Sequence, residues 1–292
     1  MKMKSVITGV APAILIAGMV FVSCQKNAGS KPAQNASSTS TQNLTSFAAS
    51  QSLINTADAQ VFQMVMEPES AAKVDAGSCP PIVTYFPSAD VFPHSVTIDY
   101  GTGCTSTGGL TRSGKITTIY TGDMSLVGSN AITTYDNYYL NGAKIEGTLK
   151  IAHNEETGTP KPKPVYRITQ KNRKVIQPNG DYIIYGGERR IIKKDTSAVY
   201  PGFPYGYFKV EGQITGDEMK GGVAYQWTAD IDPTNPLVYY FCDFIVKGVI
   251  NVTFTNQDPW IVNYGTKTLQ CDDQAQLTIN GVTTTVTLPL EF

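Results

Sequence analysis

The chain has 292 residues and a formal charge of −1, set by 23 Lys and Arg against 24 Asp and Glu, with only 16% of its residues charged. No long basic run exists to attract a polyanion, so nucleic acid is set aside as a partner. A hydrophobic content of 41% excludes global disorder, and the length suits one large all-β domain or two small ones.

Lys2 and Lys4 precede an apolar stretch from Val6 to Val22 that is interrupted by Gly9, Pro12 and Gly18. This is the layout of an export signal, shorter than the roughly 20 apolar residues that a membrane helix needs. The stretch ends in Phe21, Val22, Ser23 and Cys24, which resembles the lipobox of bacterial lipoproteins, with Phe21 in place of the usual leucine. Residues 1–23 are therefore expected to be a signal peptide, with Cys24 lipidated. Residues 24–46, rich in Ser, Thr, Asn and Gln, read as a flexible tether. From 47 to 78 the spacing of Phe47, Leu53, Ile54, Ala57, Val61, Met64 and Val65 fits one face of a helix, which Pro68 stops.

Assigning Cys24 to lipid leaves Cys79, Cys104, Cys242 and Cys271, an even number that suits an oxidising compartment. Three pairings are open. Cys79 with Cys104 and Cys242 with Cys271 are favoured, since each pair flanks one candidate strand pair and closes a short loop. A metal site is not expected, because no two cysteines lie within four residues and His94 and His153 stand at no ligand spacing from them.

From 79 to 292 the pattern is period two, the mark of half-buried strands. Phe208, Val210 and Ile214 alternate with polar residues, as do Val223, Tyr225, Trp227 and Ala229, and then Val282, Val286 and Leu288. Apolar residues or glycine at every even position from Val238 to Phe254 predict one long strand. Asn141-Gly142, Asn179-Gly180 and Asn280-Gly281 fall between such runs and supply the positive φ angles of hairpin turns. Gly147, Gly212 and Gly248 in mid-strand predict bulges or coiling. About a dozen strands and one helix imply an all-β fold, a long antiparallel meander rolled into a sandwich or barrel-like sheet with the N-terminal helix packed on it. Charged outer faces argue against a barrel facing lipid.

The succession DYGTGC, LTRSGKI, YTG, DNYYLNGAKIEGT, and later NYGT with CDDQAQLTINGV, resembles a family of secreted lipoproteins of Gram-negative bacteria. The resemblance spans about residues 79–290 and implies an exported location and an all-β fold, with no activity attached.

Catalytic machinery is sparse, with no nucleophile elbow, zincin helix or phosphate loop. His94, at a strand start, and His153, at a polar hairpin end, read as turn or loop residues. Asp136, Glu146, Glu188, Glu211 and Asp243 lie in or near strands, mostly on their polar phase, so a carboxylate-dependent glycosidase is kept only as an alternative. Asp230, Asp232, Thr234 and Asn235 open like a calcium loop but lack its glycine and distal glutamate. The better signal is aromatic. Tyr200, Phe203, Tyr205 and Tyr207 alternate with Pro and Gly in one loop, and Tyr135 and Tyr139 flank Asn137 on what reads as one strand face. The expectation is an envelope lipoprotein without cofactor or catalytic residues. It would be held on the outer membrane, facing the periplasm, by its lipid, and would bind a glycan, a cell-wall component or a protein partner. A lipid carrier with an apolar cavity is the other alternative.

Overall fold

The structure is a computed structural model that describes residues 79–106, 109–156, 163–194, 207–239, 245–265 and 274–287, together with Val61 and Val65. The signal segment, Cys24, the tether, the 195–206 part of the aromatic loop, Cys242, Asp243 and Cys271 lie outside the described residues. So does the segment expected to form an N-terminal helix, apart from Val61 and Val65, whose side chains are buried in the core of the sheet.

The described chain is all-β and antiparallel, as its alternation predicts. Its first strands are β1 (Ile82–Phe86), β2 (His94–Asp99), β3 (Cys104–Thr105), β4 (Thr111–Tyr120) and β5 (Asn130–Leu140). The long central strands are β6 (Ala143–Glu156), β7 (Lys163–Ile176), β8 (Tyr182–Lys194) and β9 (Tyr207–Lys220). They are followed by β10 (Val223–Ile231), β11 (Leu237–Tyr239), β12 (Ile245–Lys247), β13 (Val249–Phe254), β14 (Trp260–Asn263), β15 (Gln274–Ile279) and β16 (Val282–Thr287). All sixteen belong to one sheet that is not closed, with β1 and β16 at its edges, so the barrel alternative does not form.

One face is buried and apolar. Val96, Ile116, Leu149, Ile151, Val175, Ile214, Val252 and Leu277 all point to it, from seven strands. Burying a side chain of this size contributes about 1.5–3 kcal/mol, which is why one-residue register slips are suppressed. Two polar groups on this face satisfy each other, since Thr118 Oγ1 and Thr133 Oγ1 lie 2.8 Å apart across β4 and β5. The edge of the sheet is stapled by the expected Cys79–Cys104 disulfide (Cα–Cα 5.2 Å), whose first sulfur is fully buried.

Turn chemistry follows the sequence in two of three places. Asn141-Gly142 (φ 49° and 80°) joins β5 to β6, and Asn280-Gly281 (φ 51° and 76°) joins β15 to β16, each with both central residues at positive φ. Asn179-Gly180 also lies at a strand end, but only Gly180 has positive φ there. The turn is instead tied by Asn179 Oδ1, which accepts from the Asp181 amide (3.1 Å).

The long strand expected from Val238 to Phe254 is broken. Leu237–Tyr239 pairs with both β9 and β12, while Val249–Phe254 pairs with β10, so the run is divided between the two arms of a hairpin. The second arm continues through Gly248 at φ 124°, where a Cβ would come within 2.6 Å of the Pro236 carbonyl. A turn at Asp232–Pro236 has displaced the neighbouring strand there, and the Val249 amide donates to its Asn235 carbonyl (2.9 Å). Alternation alone cannot see this, because both arms of a hairpin can carry the same parity of apolar residues.

Candidate functional site

The exposed face offers a groove of about 410 Å³ across β9, β10 and β13. Its side chains are Thr215 and Asp217 from β9, Gln226 and Thr228 from β10, and Thr253 with the following Thr255. Period-two geometry places all six opposite the buried Ile214, Trp227 and Val252. Register then brings them side by side: Thr215 pairs with Thr228, Asp217 with Gln226, and Thr228 with Thr253.

Hydrogen bonds preset the groove. Gln226 Nε2 donates to Asp217 Oδ1 (2.7 Å), and the Thr255 amide donates to the Gln226 carbonyl (3.0 Å). Thr255 Oγ1 also donates to Gln226 Oε1 (3.4 Å), and Thr215 Oγ1 to the Gly186 carbonyl (3.3 Å). The result is an amide, a carboxylate and four hydroxyls on one rigid surface, able to accept and donate hydrogen bonds without bringing a net positive charge. Gly186, next to Thr215, contributes no side chain that would fill the depression.

The aromatic and titratable candidates are arranged differently. Tyr135 and Tyr139 do not share a face: a bulge at Asp136–Asn137, with Asn137 at φ 45°, shifts the register between them. Tyr135 turns to the buried face, where the Arg173 guanidinium lies 4.4 Å from its ring centroid, while Tyr139 is exposed on the other face. Tyr207 opens β9, but its side chain is not described. His94 opens β2, at the strand start where the sequence places it, but is buried, and His153, read as a loop residue, lies in β6 and is buried. His94 stacks on Phe92 (4.6 Å) and His153 on Tyr166 (4.8 Å).

The carboxylates considered for hydrolysis are engaged on the exposed face. Glu146 pairs with Lys144 (2.7 Å), Glu188 with Arg167 (2.7 Å), and Glu211 with Arg190 (3.2 Å) and Lys209. Asp136 accepts from Asn137 Nδ2 (3.2 Å). At the loop that opens like a calcium site, Asp232 caps its own turn. Its Oδ1 accepts from the Thr234 hydroxyl (2.6 Å) and amide (2.8 Å), which together with Asn235 hold the carboxyl below its ordinary pKa. Asp99 is likewise held low by the Lys115 ammonium (2.8 Å) and the Gly101 amide.

Sequence reasoning did not find the groove. Its six polar residues look like any solvated strand phase, and the step that assembles them, β10 pairing with β13 past the β11–β12 hairpin, leaves no local mark. The available signal was the short, uncharged side chains at 215, 226, 228, 253 and 255, where the neighbouring strands carry Lys, Arg and Glu. The chain matches no known protein-family model, no curated protein and no solved structure.

Proposed function

We infer that the protein is a non-catalytic envelope lipoprotein, held on the membrane through acylated Cys24, that binds a glycan or a cell-wall sugar in the β9–β10–β13 groove. The observation that carries this reading is the preset Asp217–Gln226 pair among the groove threonines. Sugar hydroxyls both donate and accept, so a fixed carboxylate beside amide and hydroxyl groups complements them, and about 410 Å³ is within the usual range of small-ligand sites.

The test is thermal unfolding of the protein against soluble glycans and peptidoglycan fragments. A sugar at 100 times its dissociation constant adds about 2.7 kcal/mol and raises the midpoint. Asp217→Asn should weaken binding about tenfold by removing an acceptor from the site. No shift with any sugar, or a shift that Asp217→Asn leaves unchanged, rules the groove out as the binding site.

A further inference from the structure

Six of the large apolar side chains that stand in solvent gather at one end of the first strands. They are Phe86, Val91, Phe92, Ile119, Leu126 and Val127, between 42% and 75% exposed. Register shows why they are neighbours. Phe86 pairs with Ser95, Ser95 with Ile119, and the β1–β2 and β4–β5 turns leave the sheet side by side because His94 pairs with Tyr120. Phe92 is fixed by stacking on His94. The Leu126 turn is closed by its own amide donating to the Asp123 carbonyl (2.9 Å), with the Ser129 amide donating back to Leu126 (3.2 Å). Scattered apolar residues need no explanation, but two ordered loop tips that both present them do.

We propose that this end of the sheet inserts into the surface of the bilayer leaflet that anchors the chain, with Val91, Phe92, Leu126 and Val127 as the inserted tips. The proposal rests on the lipid-anchored reading above. The occupant follows from the chain itself: acylation of Cys24 would confine the domain next to a bilayer at the end of a polar tether, where a protruding apolar tip meets lipid first. The placement agrees, because two adjacent turns with exposed apolar side chains at one end of the sheet suit a fluid interface that conforms to them. Residues 87–93 and 121–130 contain no Lys or Arg, and their acids are Asp90 and Asp123, so attraction to anionic headgroups is not what these turns supply. The Asp123 carboxylate accepts from the Ser125 amide (2.8 Å) and stays ionised at headgroup level while the apolar tips go deeper, about 5–10 Å into the interface. The groove lies toward the other end. From Tyr207, at the end of β9 that shares this side of the sheet, to Asp217 is ten residues of strand, about 33 Å.

The intact acylated protein, reconstituted in zwitterionic phosphatidylcholine vesicles at high salt, provides the test. Zwitterionic lipid removes any contribution from Lys163 and Lys194, which open β7 and close β8 at the same end. An environment-sensitive fluorophore is placed at Ser125→Cys, and in a separate protein at Asn256→Cys, in the exposed turn at the opposite end. Lipid-borne quencher should reduce the Ser125 probe at least roughly threefold more than the Asn256 probe, and Leu126→Asp with Val127→Asp should equalise them while the protein stays on the vesicles. Equal quenching in the unsubstituted protein, with the protein retained on vesicles, overturns the insertion and leaves the anchor standing. Failure of the protein to stay on vesicles overturns the anchored reading itself.

Discussion

Trp227 and Gly216 face each other across the β9–β10 ladder, and the indole occupies the space in which a side chain on residue 216 would stand. The Gly216 backbone has no positive φ, so the requirement for glycine is purely steric. Trp227 is buried beneath the groove, in the part of the sheet where Phe254 and Trp260 also meet (4.5 Å). Gly216→Ala should cost about 1–3 kcal/mol by overpacking, measured by denaturant unfolding followed through tryptophan emission. An unchanged midpoint would mean that the indole has room to move.

Cys79 and Cys104 close a span of 25 residues at the edge of the sheet. Chain-entropy arguments put the stabilisation at about 3.5 kcal/mol for a loop of this length. Replacing both by serine should lower stability by that order, and a non-reducing peptide map should recover the linked pair. Recovery of Cys79 joined to any other cysteine contradicts the structure.

Arg173 is fully buried on the apolar face, with its guanidinium over the rings of Tyr135 (4.4 Å) and Tyr185 (5.8 Å) and Nη1 donating to the Glu146 carbonyl (3.4 Å). Arg173→Ala removes both the packing and the charge and should destabilise by about 3–5 kcal/mol. Arg173→Lys keeps the charge but not the planar stack, so equilibrium unfolding should place it between the two. Equal stability of all three proteins would deny the stack any role.

Burial pushes the phenols of Tyr120 and Tyr138 well above the ordinary tyrosine pKa. Tyr138 feels Tyr100 and Tyr135 in the same direction, with the neighbouring Arg112 opposing. With the folded pKa raised, the stabilisation is fully present below about pH 10, where neither state ionises, and is lost as pH rises and the unfolded chain releases these protons. Denaturant midpoints should therefore fall between pH 9.5 and 11.5, a window set by about the unperturbed tyrosine value. The double variant Tyr120→Phe, Tyr138→Phe should flatten that decline, and an identical slope in both proteins would assign it to other groups.

Most of the strands could be read from the sequence because one buried face imposes a strict period of two, and two Asn-Gly turns declared their hairpins. The mid-strand glycines marked two places where the period slips, Gly147 at the β6–β7 register shift and Gly248 between β12 and β13, but the sequence did not show how each slip re-sorts the faces. The bulge at Asn137 sends Tyr135 and Tyr139 to opposite faces, and a second at Asn172 shifts β7 against Gly147 of β6. Gly248 and the Asp232 turn split the run that looked continuous. His153 looked like a loop residue because its sequence neighbours are polar, and His94 like a surface residue because it follows Pro93, whereas their cross-strand aromatic partners, Tyr166 and Tyr120, cover both. The groove needed long-range register, which no window of consecutive residues contains.

A sheet whose strand order almost repeats its chain order can be built in the order in which the chain is delivered. From β4 to β10 each new strand meets its partner as the strand just completed, so the entropic toll of closing each loop is small and no long search intervenes. The exception is β13, which pairs with β10 only after β11 and β12 have intervened in the chain, with Gly248 joining β12 to β13. A chain that arrives N-terminus first would thus finish the β9–β10–β13 groove late, after the end bearing Phe92 and Leu126 is already formed.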